Sequence, residues 1–474
     1  MIHSTPLKRR DRAVSPHLVP SLVRCGGLAL ACSLLLGACG LFRAEPPLVA
    51  ESRSTAAEPH ASGGATTFAA PAALAPAGDT PVAATAMPKR PLPPPANFEQ
   101  AVQQVGDQVF HDALDRLGRE PRQVVIDSLI DANTGAQTAS TVLMGDQLAT
   151  LLKSDYAALE VKPFTREALA AKPLLVIGTV TPINGAGAKE AVPNLFRIWL
   201  TLIDLRTGRV VAKNINRATM ESVDPRPLKF YADSPTWTRD RTVAGYIDSC
   251  QVNTKVGDLA DPIYLEHLPA AAVLHEAITA YGTGDLTQAR GLYREAQALA
   301  DPGDLRVSNG LYLTNWKLGE HEAAKDAFDD IVNFGLETGK LPLKLLFRTG
   351  STGFSQIGDW PEQYELWLAS VARQTVSFDA CMKVVGHASR TGDPAVNEVL
   401  SQRRAETVQV LLERNNGDLK QRLSAAGMGS KELLVGIGTD DLRDALDRRV
   451  EFKVIECKQP AAVVAKPAAA AKAG

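Results

Sequence analysis

Apolar and polar positions change rhythm several times along this chain, and each change marks an element. FEQAVQQVGDQVFHDALDRL spaces its apolar residues as one helical face, and the β-branched run RQVVIDSLID after it predicts a strand. DQLATLLKSD then leads into LEVKPF, PLLVIGTVTPI has the unbroken apolar character of a buried strand, and LFRIWLTLIDLRTGRVVAKN alternates as a hairpin closed at Arg206, Thr207 and Gly208. Residues 97 to 255 are therefore expected to form an α/β domain. The rhythm becomes helical again from about 265 to 338. There AYGTGDLTQARGLYREA and NWKLGEHEAAKDAFDDI align at a spacing of 35, with Tyr281 over Trp316, Gly284 over Gly319, Ala289 over Ala324 and Tyr293 over Phe328. Small residues where helices cross and glycine where they turn predict helical hairpins.

Residues 341 to 457 alternate strand and helix. LKLLFRTGSTGF predicts a strand and turn, PEQYELWLASVARQ a helix, DACMKVVGHA a strand, and KELLVGIGT and RRVEFKVIE a closing strand pair. The helix between them, within GHASRTGDPAVNEVLSQRRA, is expected to bury Val396, Leu400, Val408 and Leu411 along one face, with Arg404 in its middle. A buried guanidinium keeps its proton and calls for an anion. Candidates within the chain are Asp440, Asp441 and Asp447; the alternative is an anionic ligand. The fold class expected overall is multidomain α/β and α+β: an N-terminal α/β domain, a short helical-hairpin segment and a C-terminal βαβα sandwich.

The ends add location. LKRRDR followed by CGGLALACSLLLGAC is positive charge and then a short apolar run ending in small residues, which predicts an export signal over residues 1–38. Residues 39–96, rich in Ala, Pro, Ser, Thr and Gly, hold too few large apolar side chains to fold and predict a tether; residues 458–474 form a second low-complexity tail. A formal charge of -2 gives no reason to expect a nucleic-acid partner. No CxxC pair or Cys/His cluster suggests a metal, and no motif suggests a cofactor. Cys250, Cys381 and Cys457 lie beyond the signal and its final Cys. In an oxidising compartment Cys381 and Cys457, at the start of one predicted strand and the end of another, are the better pair for a disulfide; two buried free thiols are the alternative.

Four resemblances sharpen this reading. Leu36-Gly37-Ala38-Cys39 resembles the bacterial lipobox, which implies lipidation of Cys39 by acyl chains such as palmitate, and Gly40 in place of Asp implies sorting to the outer membrane, facing the periplasm. The repeat at 265–338 resembles tetratricopeptide repeats, as a spacer or a docking groove, and residues 97–255 resemble the α/β domains of envelope-assembly lipoproteins. GHASRTGDPAVNEVLSQRRAETV, GMGSKELLVGIGTDD and DRRVEFKV resemble, in order and spacing, the peptidoglycan-binding domain of the OmpA-like family. That family domain is a non-catalytic clamp for the diaminopimelate branch of peptidoglycan. The resemblance implies that Arg404, in LSQRRA, receives the ligand carboxylate, and that Ser389 stands where the family has the Asp that receives the ammonium. Thr391, Asp393 and Arg448 are the further candidates, with Asp393 also placed to cap the helix ahead of Pro394. Restoring the family residue by Ser389→Asp is expected to tighten binding. His387, Ser389 and Asp393 suggest a nucleophilic triad only superficially, because no nucleophile elbow surrounds the serine. The expected function is a non-catalytic outer-membrane lipoprotein that ties membrane to wall and engages an unknown envelope protein. The alternative is an assembly factor of a secretion or surface-appendage system whose 97–255 domain oligomerises or docks.

Overall fold

The computed structural model of the protein describes residues 93–185 and 193–457, all within the compact unit Met87–Gly474. The signal, Cys39, nearly all of the Ala/Pro-rich stretch and the tail lie outside the described residues.

α1 (Phe98–Leu117) starts where the Asn97 side chain accepts the Gln100 N–H and stops at Gly118, whose φ of 79° a side chain would resist. There follow β1 (Arg122–Ile126), β2 (Ile130–Asp131), α2 (Ala139–Asp155), β3 (Leu159–Val161), α3 (Arg166–Ala170), β4 (Leu174–Ile183), β5 (Leu195–Asp204) and β6 (Arg209–Thr219). The sheet runs β3-β1-β4-β5-β6, with β2 also beside β4. β1 is parallel to β3 and β4, whereas β4, β5 and β6 pair antiparallel. β4 is covered on both faces, which its unbroken apolar sequence requires. α1 and α2 pack against one face. After α4 (Lys229–Asp233), α5 (Arg241–Cys250) and α6 (Pro262–Glu266) cover the other.

Two helical hairpins follow: α7 (Leu268–Thr283) with α8 (Leu286–Gln297), and α9 (Leu305–Lys317) with α10 (His321–Glu337). Gly284 and Gly319, at φ 89° and 80°, turn the chain between the helices of each hairpin. Ala289, Ala324, Tyr293 and Phe328 are fully buried at the crossings.

The C-terminal part comprises β7 (Leu345–Leu346), α11 (Trp360–Ser377), β8 (Cys381–Gly386), α12 (Pro394–Asn415), β9 (Leu423–Gly427) and β10 (Arg449–Ile455) in a sheet ordered β7-β10-β8-β9. β9 lies parallel to β8, and β10 is antiparallel to both β7 and β8. Cys381 and Cys457, at the start of β8 and just past β10, form a disulfide, and Cys250 is a buried free thiol. One hydrophobic core runs from α4 through the hairpins into this sheet. Its joint is aromatic: Trp367 stacks near Phe328 with ring centroids 6.2 Å apart and donates through Nε1 to the Tyr312 hydroxyl at 2.6 Å. Trp360 Nε1 donates to the Asp233 carbonyl at 2.8 Å.

Two expectations change here. KELLVGIGT forms no strand; β9, from the segment before it, takes that place in the sheet. The reason is local, because the buried Asp447 carboxylate accepts the N–H groups of Leu434, Val435 and Gly436, which removes them from any ladder. The buried face of α12 is also rotated from the one expected. It consists of Asn397, Ser401, Arg404, Ala405, Val408 and Leu412, while Val396 is 63% exposed. Polar side chains that bond to the loops above them, and not apolar ones, occupy the N-terminal half of that face.

α12 lies so close to β8 and β9 that a Cβ on Gly386 would sit 2.0 Å from the Ser401 carbonyl oxygen, and one on Gly427 would sit 2.5 Å from the Gln402 nitrogen. Backbone offers little relief, so Gly386→Ala is expected to destabilise the fold by about 1–3 kcal/mol. A chemical denaturation midpoint checks this; an unchanged midpoint would mean that α12 is free to shift.

Candidate functional site

The close seat of α12 puts Arg404 beneath the loops that leave β7 and β8. Its side chain is completely buried. Nε donates to the Ser351 carbonyl at 2.9 Å, Nη1 to the His387 carbonyl at 2.9 Å and Nη2 to the Arg348 carbonyl at 3.0 Å. The Phe347 ring lies over the guanidinium, 5.3 Å from centroid to Cζ. Among the described residues no carboxylate forms an ion pair with Arg404, so the aspartates weighed as partners are not its partners. Asp441 pairs with Arg443 at 2.8 Å, and Asp447 holds the backbone from Leu434 to Gly436. Burial and the neighbouring Arg448 push the Arg404 guanidinium down to about 10, and Asp440 acts in the opposite direction. It remains charged at neutral pH. A guanidinium has five N–H groups, and three of them are used here.

Ser389 is 6% exposed, and its hydroxyl donates to Asp440 Oδ1 at 2.7 Å. Asp440 belongs to GIGTDD, a loop turned by Gly436 and Gly438 at φ 71° and 74°, with Asp440 itself at φ 55°. Left-handed backbone is costly for most side chains and mildest for Asn, Asp and Gly. Here the neighbours hold it: the Asp440 N–H donates to Asp444 Oδ2 at 3.1 Å, and Thr349 Oγ1 donates to the Asp440 carbonyl at 3.2 Å. Arg448 Nη1 lies 3.0 Å from Asp444 Oδ1 and 3.5 Å from Asp440 Oδ1.

The other sequence candidates divide. Asp393 caps α12, accepting the N–H groups of Ala395 and Val396, so its carboxylate is committed to the helix. Thr391 is exposed, and its carbonyl accepts from Asn397 Nδ2 at 3.0 Å. Arg448 is buried against Asp444 and supports the loop. Arg449 next to it is also buried, with Nε donating to Glu451 Oε1 at 2.7 Å. His387 is fully buried with neither ring nitrogen hydrogen-bonded. Burial, Arg449 and Lys453 push its imidazole down to about 2, so it is neutral, and Glu432 and Glu451, 3.8 and 4.0 Å away, are not ion-pair partners. His387, Ser389 and Asp393 thus have separate surroundings and form no relay. Beside the GIGTDD loop lies a cleft of about 510 Å³ lined by Glu221, Asp224, Arg226, Asp441, Leu442 and Arg443. Among the described residues no group of His, Cys, Asp and Glu is arranged to hold a metal, and no helix is long and apolar enough to cross a membrane.

Sequence reasoning missed Asp440 as the neighbour of Ser389. The one signal it had was the pair of glycines before TDD, which marks a tight turn but not where that turn points.

Residues 351–445 match the model of the OmpA family. No curated protein matches the chain. Similar solved structures include the peptidoglycan-associated lipoprotein from Burkholderia pseudomallei, at 23% identity and a TM-score of 0.21, covering 24% of this chain and 89% of that one. The cell wall anchor of the T6SS from Pseudomonas aeruginosa has 24% identity and a TM-score of 0.19, covering 24% and 76%. The periplasmic domain of Helicobacter pylori MotB has 18% identity and a TM-score of 0.20, covering 24% and 73%.

Proposed function

We propose that the C-terminal domain binds peptidoglycan without catalysing its turnover, and that the protein is an outer-membrane lipoprotein, facing the periplasm, which ties an envelope component to the wall. The observation that carries this reading is the coincidence of the OmpA-family match over 351–445 with a buried, charged Arg404 that has no ion-pair partner among the described residues. A positive charge in a desolvated place attracts a carboxylate more strongly than one in water. The free end of diaminopimelate offers a carboxylate with an ammonium beside it.

In this reading Arg404 works in two ways. It fixes the loops at Arg348, Ser351 and His387 by their carbonyls, and its two remaining N–H groups are left for the ligand. The adjoining 510 Å³ cleft gives the rest of a stem peptide a place to lie. Ser389, Thr391 and Arg448 form the surroundings of the bound end, and Asp393 contributes by starting α12.

Cys39, outside the described residues, carries the membrane attachment. Acyl chains each contribute ~0.8 kcal/mol per buried methylene, and more than one chain gives firm anchoring. Cys39→Ala is expected to move the protein from the membrane fraction to the soluble fraction after cell fractionation. Retention in the membrane would contradict the lipid anchor while leaving wall binding to be judged separately. Wall binding itself is tested by sedimentation of the purified full-length protein with diaminopimelate-containing sacculi.

A further inference from the structure

We infer that Asp440 is the ammonium receptor of this site, taking the charge role that Ser389 cannot fill; the inference rests on the peptidoglycan-binding reading above. Ser389 is a hydroxyl and brings no charge. Its Oγ nevertheless touches a carboxylate, 2.7 Å from Asp440 Oδ1, so the negative charge stands one hydrogen bond further out along the same direction. Asp440 Oδ2 accepts no hydrogen bond among the described residues, and the side chain is 26% exposed. The other two acids of the loop that face inward are spent: Asp444 is fully buried on Arg448 and the Asp440 N–H, and Asp447 is fully buried on three backbone N–H groups. Asp441 is exposed but chelated by Arg443. Asp440 is thus the carboxylate of this loop with an open acceptor.

Its placement is imposed from several sides and is not a property of a mobile loop tip. The left-handed backbone at φ 55°, the bond from Asp440 N–H to Asp444 and the bond from Thr349 to the Asp440 carbonyl aim the side chain at Ser389. Both routes from Asp440 lead to Arg404 within a few residues. Ser389 follows the His387 carbonyl that takes Nη1, and Thr349 follows the Arg348 carbonyl that takes Nη2. A carboxylate with a free oxygen and a guanidinium with free N–H groups therefore flank one loop junction. The charges that lie largely out of solvent at this junction, Arg404 and Arg448 against Asp440 and Asp444, cancel, while Arg348 and Arg390 are exposed beside them. A neutral set of that kind suits a zwitterionic amino-acid end and disfavours a lone anion or a lone cation, either of which would leave a net charge in a desolvated place.

This reverses the expectation for Ser389→Asp. A second carboxylate at position 389 would face Asp440 at hydrogen-bond distance, and two such groups cannot both stay ionised without cost. The single substitution is now expected to leave binding no tighter than the parent, whereas Ser389→Asp with Asp440→Asn moves the charge inward and keeps its total.

The test is sedimentation of the purified full-length protein and these variants with diaminopimelate-containing sacculi, with a soluble diaminopimelate-containing muropeptide as competitor. Asn retains the shape of Asp, tolerates left-handed backbone and keeps an Oδ1 acceptor for Ser389 and Arg448, so Asp440→Asn removes the charge, including its part in the Arg448 pair, and leaves the contacts. It is expected to weaken binding about ten- to a hundredfold, the usual loss for one charge-assisted hydrogen bond. The double variant is expected to recover most of that loss, which a merely structural role for Asp440 would not produce. If the parent binds and Asp440→Asn binds equally well, or the double variant is no better than Asp440→Asn, the assignment of Asp440 is wrong and the wall-binding reading stands. If the folded parent does not bind at all, the wall-binding reading itself fails.

Discussion

Arg404→Ala is expected to cost on the order of 3 kcal/mol or more in folding stability and to abolish wall binding at the same time. The substitution strands the carbonyls of Ser351 and His387 and leaves that of Arg348 with the Ser351 N–H alone, and each buried acceptor left without a donor costs ~1–3 kcal/mol. It also opens a hole beneath Phe347, which loses the guanidinium that packs on its ring. Domain stability is commonly ~5–15 kcal/mol, so this loss is a large fraction of the whole. Arg404→Lys separates the two effects. An ammonium keeps the charge but cannot reach three divergent carbonyls with one planar fork, so an intermediate stability is expected. Urea denaturation midpoints for the three proteins decide the matter. An Arg404→Ala midpoint equal to that of the parent would show that the three carbonyl bonds hold nothing together.

Trp367→Ala is the second large effect, expected at about 3–5 kcal/mol. The indole is fully buried where α11 meets the helical hairpins, in contact with Phe328, Trp360 and Tyr364, and its Nε1 holds the Tyr312 hydroxyl. The consequence reaches beyond α11, because this joint lies inside a core shared by the hairpins and the C-terminal sheet. Hairpin and sheet are expected to lose stability together, seen as one cooperative transition at lower denaturant by both far-ultraviolet circular dichroism and tryptophan fluorescence. Two separated transitions, with only one of them shifted, would contradict a shared core. The same joint argues against cutting the C-terminal domain out of the chain for binding work, since excision exposes the face carrying Trp360 and Trp367.

Periodicity revealed those parts of the fold in which the backbone bonds to itself. α1 begins and ends with the run FEQAVQQVGDQVFHDALDRL, the β5–β6 hairpin turns at Arg206, Thr207 and Gly208, and Gly284 and Gly319 turn their helix pairs. It failed where side chains replace backbone partners. Leu434, Val435 and Gly436 have strand-like sequence, but their N–H groups go to Asp447, and β9, in plain LSAAG, takes the strand position instead. The phase of α12 was misjudged for a related reason. Asn397 and Ser401 look like a solvated stripe until the Ser389 carbonyl and the Gly429 N–H that they satisfy are seen above them. Of the site, Ser389 and Arg404 stood out from the motif. Asp440 stood out only as one of three aspartates near Arg404, because its place beside Ser389 depends on a loop conformation set by four residues scattered from Thr349 to Asp444.

Sacculus sedimentation of the full-length protein measures directly whether the C-terminal domain grips the wall through a paired charge site. The parent is expected to sediment with diaminopimelate-containing sacculi, to be released by a soluble diaminopimelate-containing muropeptide, and to lose most of its binding on Asp440→Asn without losing its fold. A correctly folded parent that stays in the supernatant with those sacculi would contradict that grip.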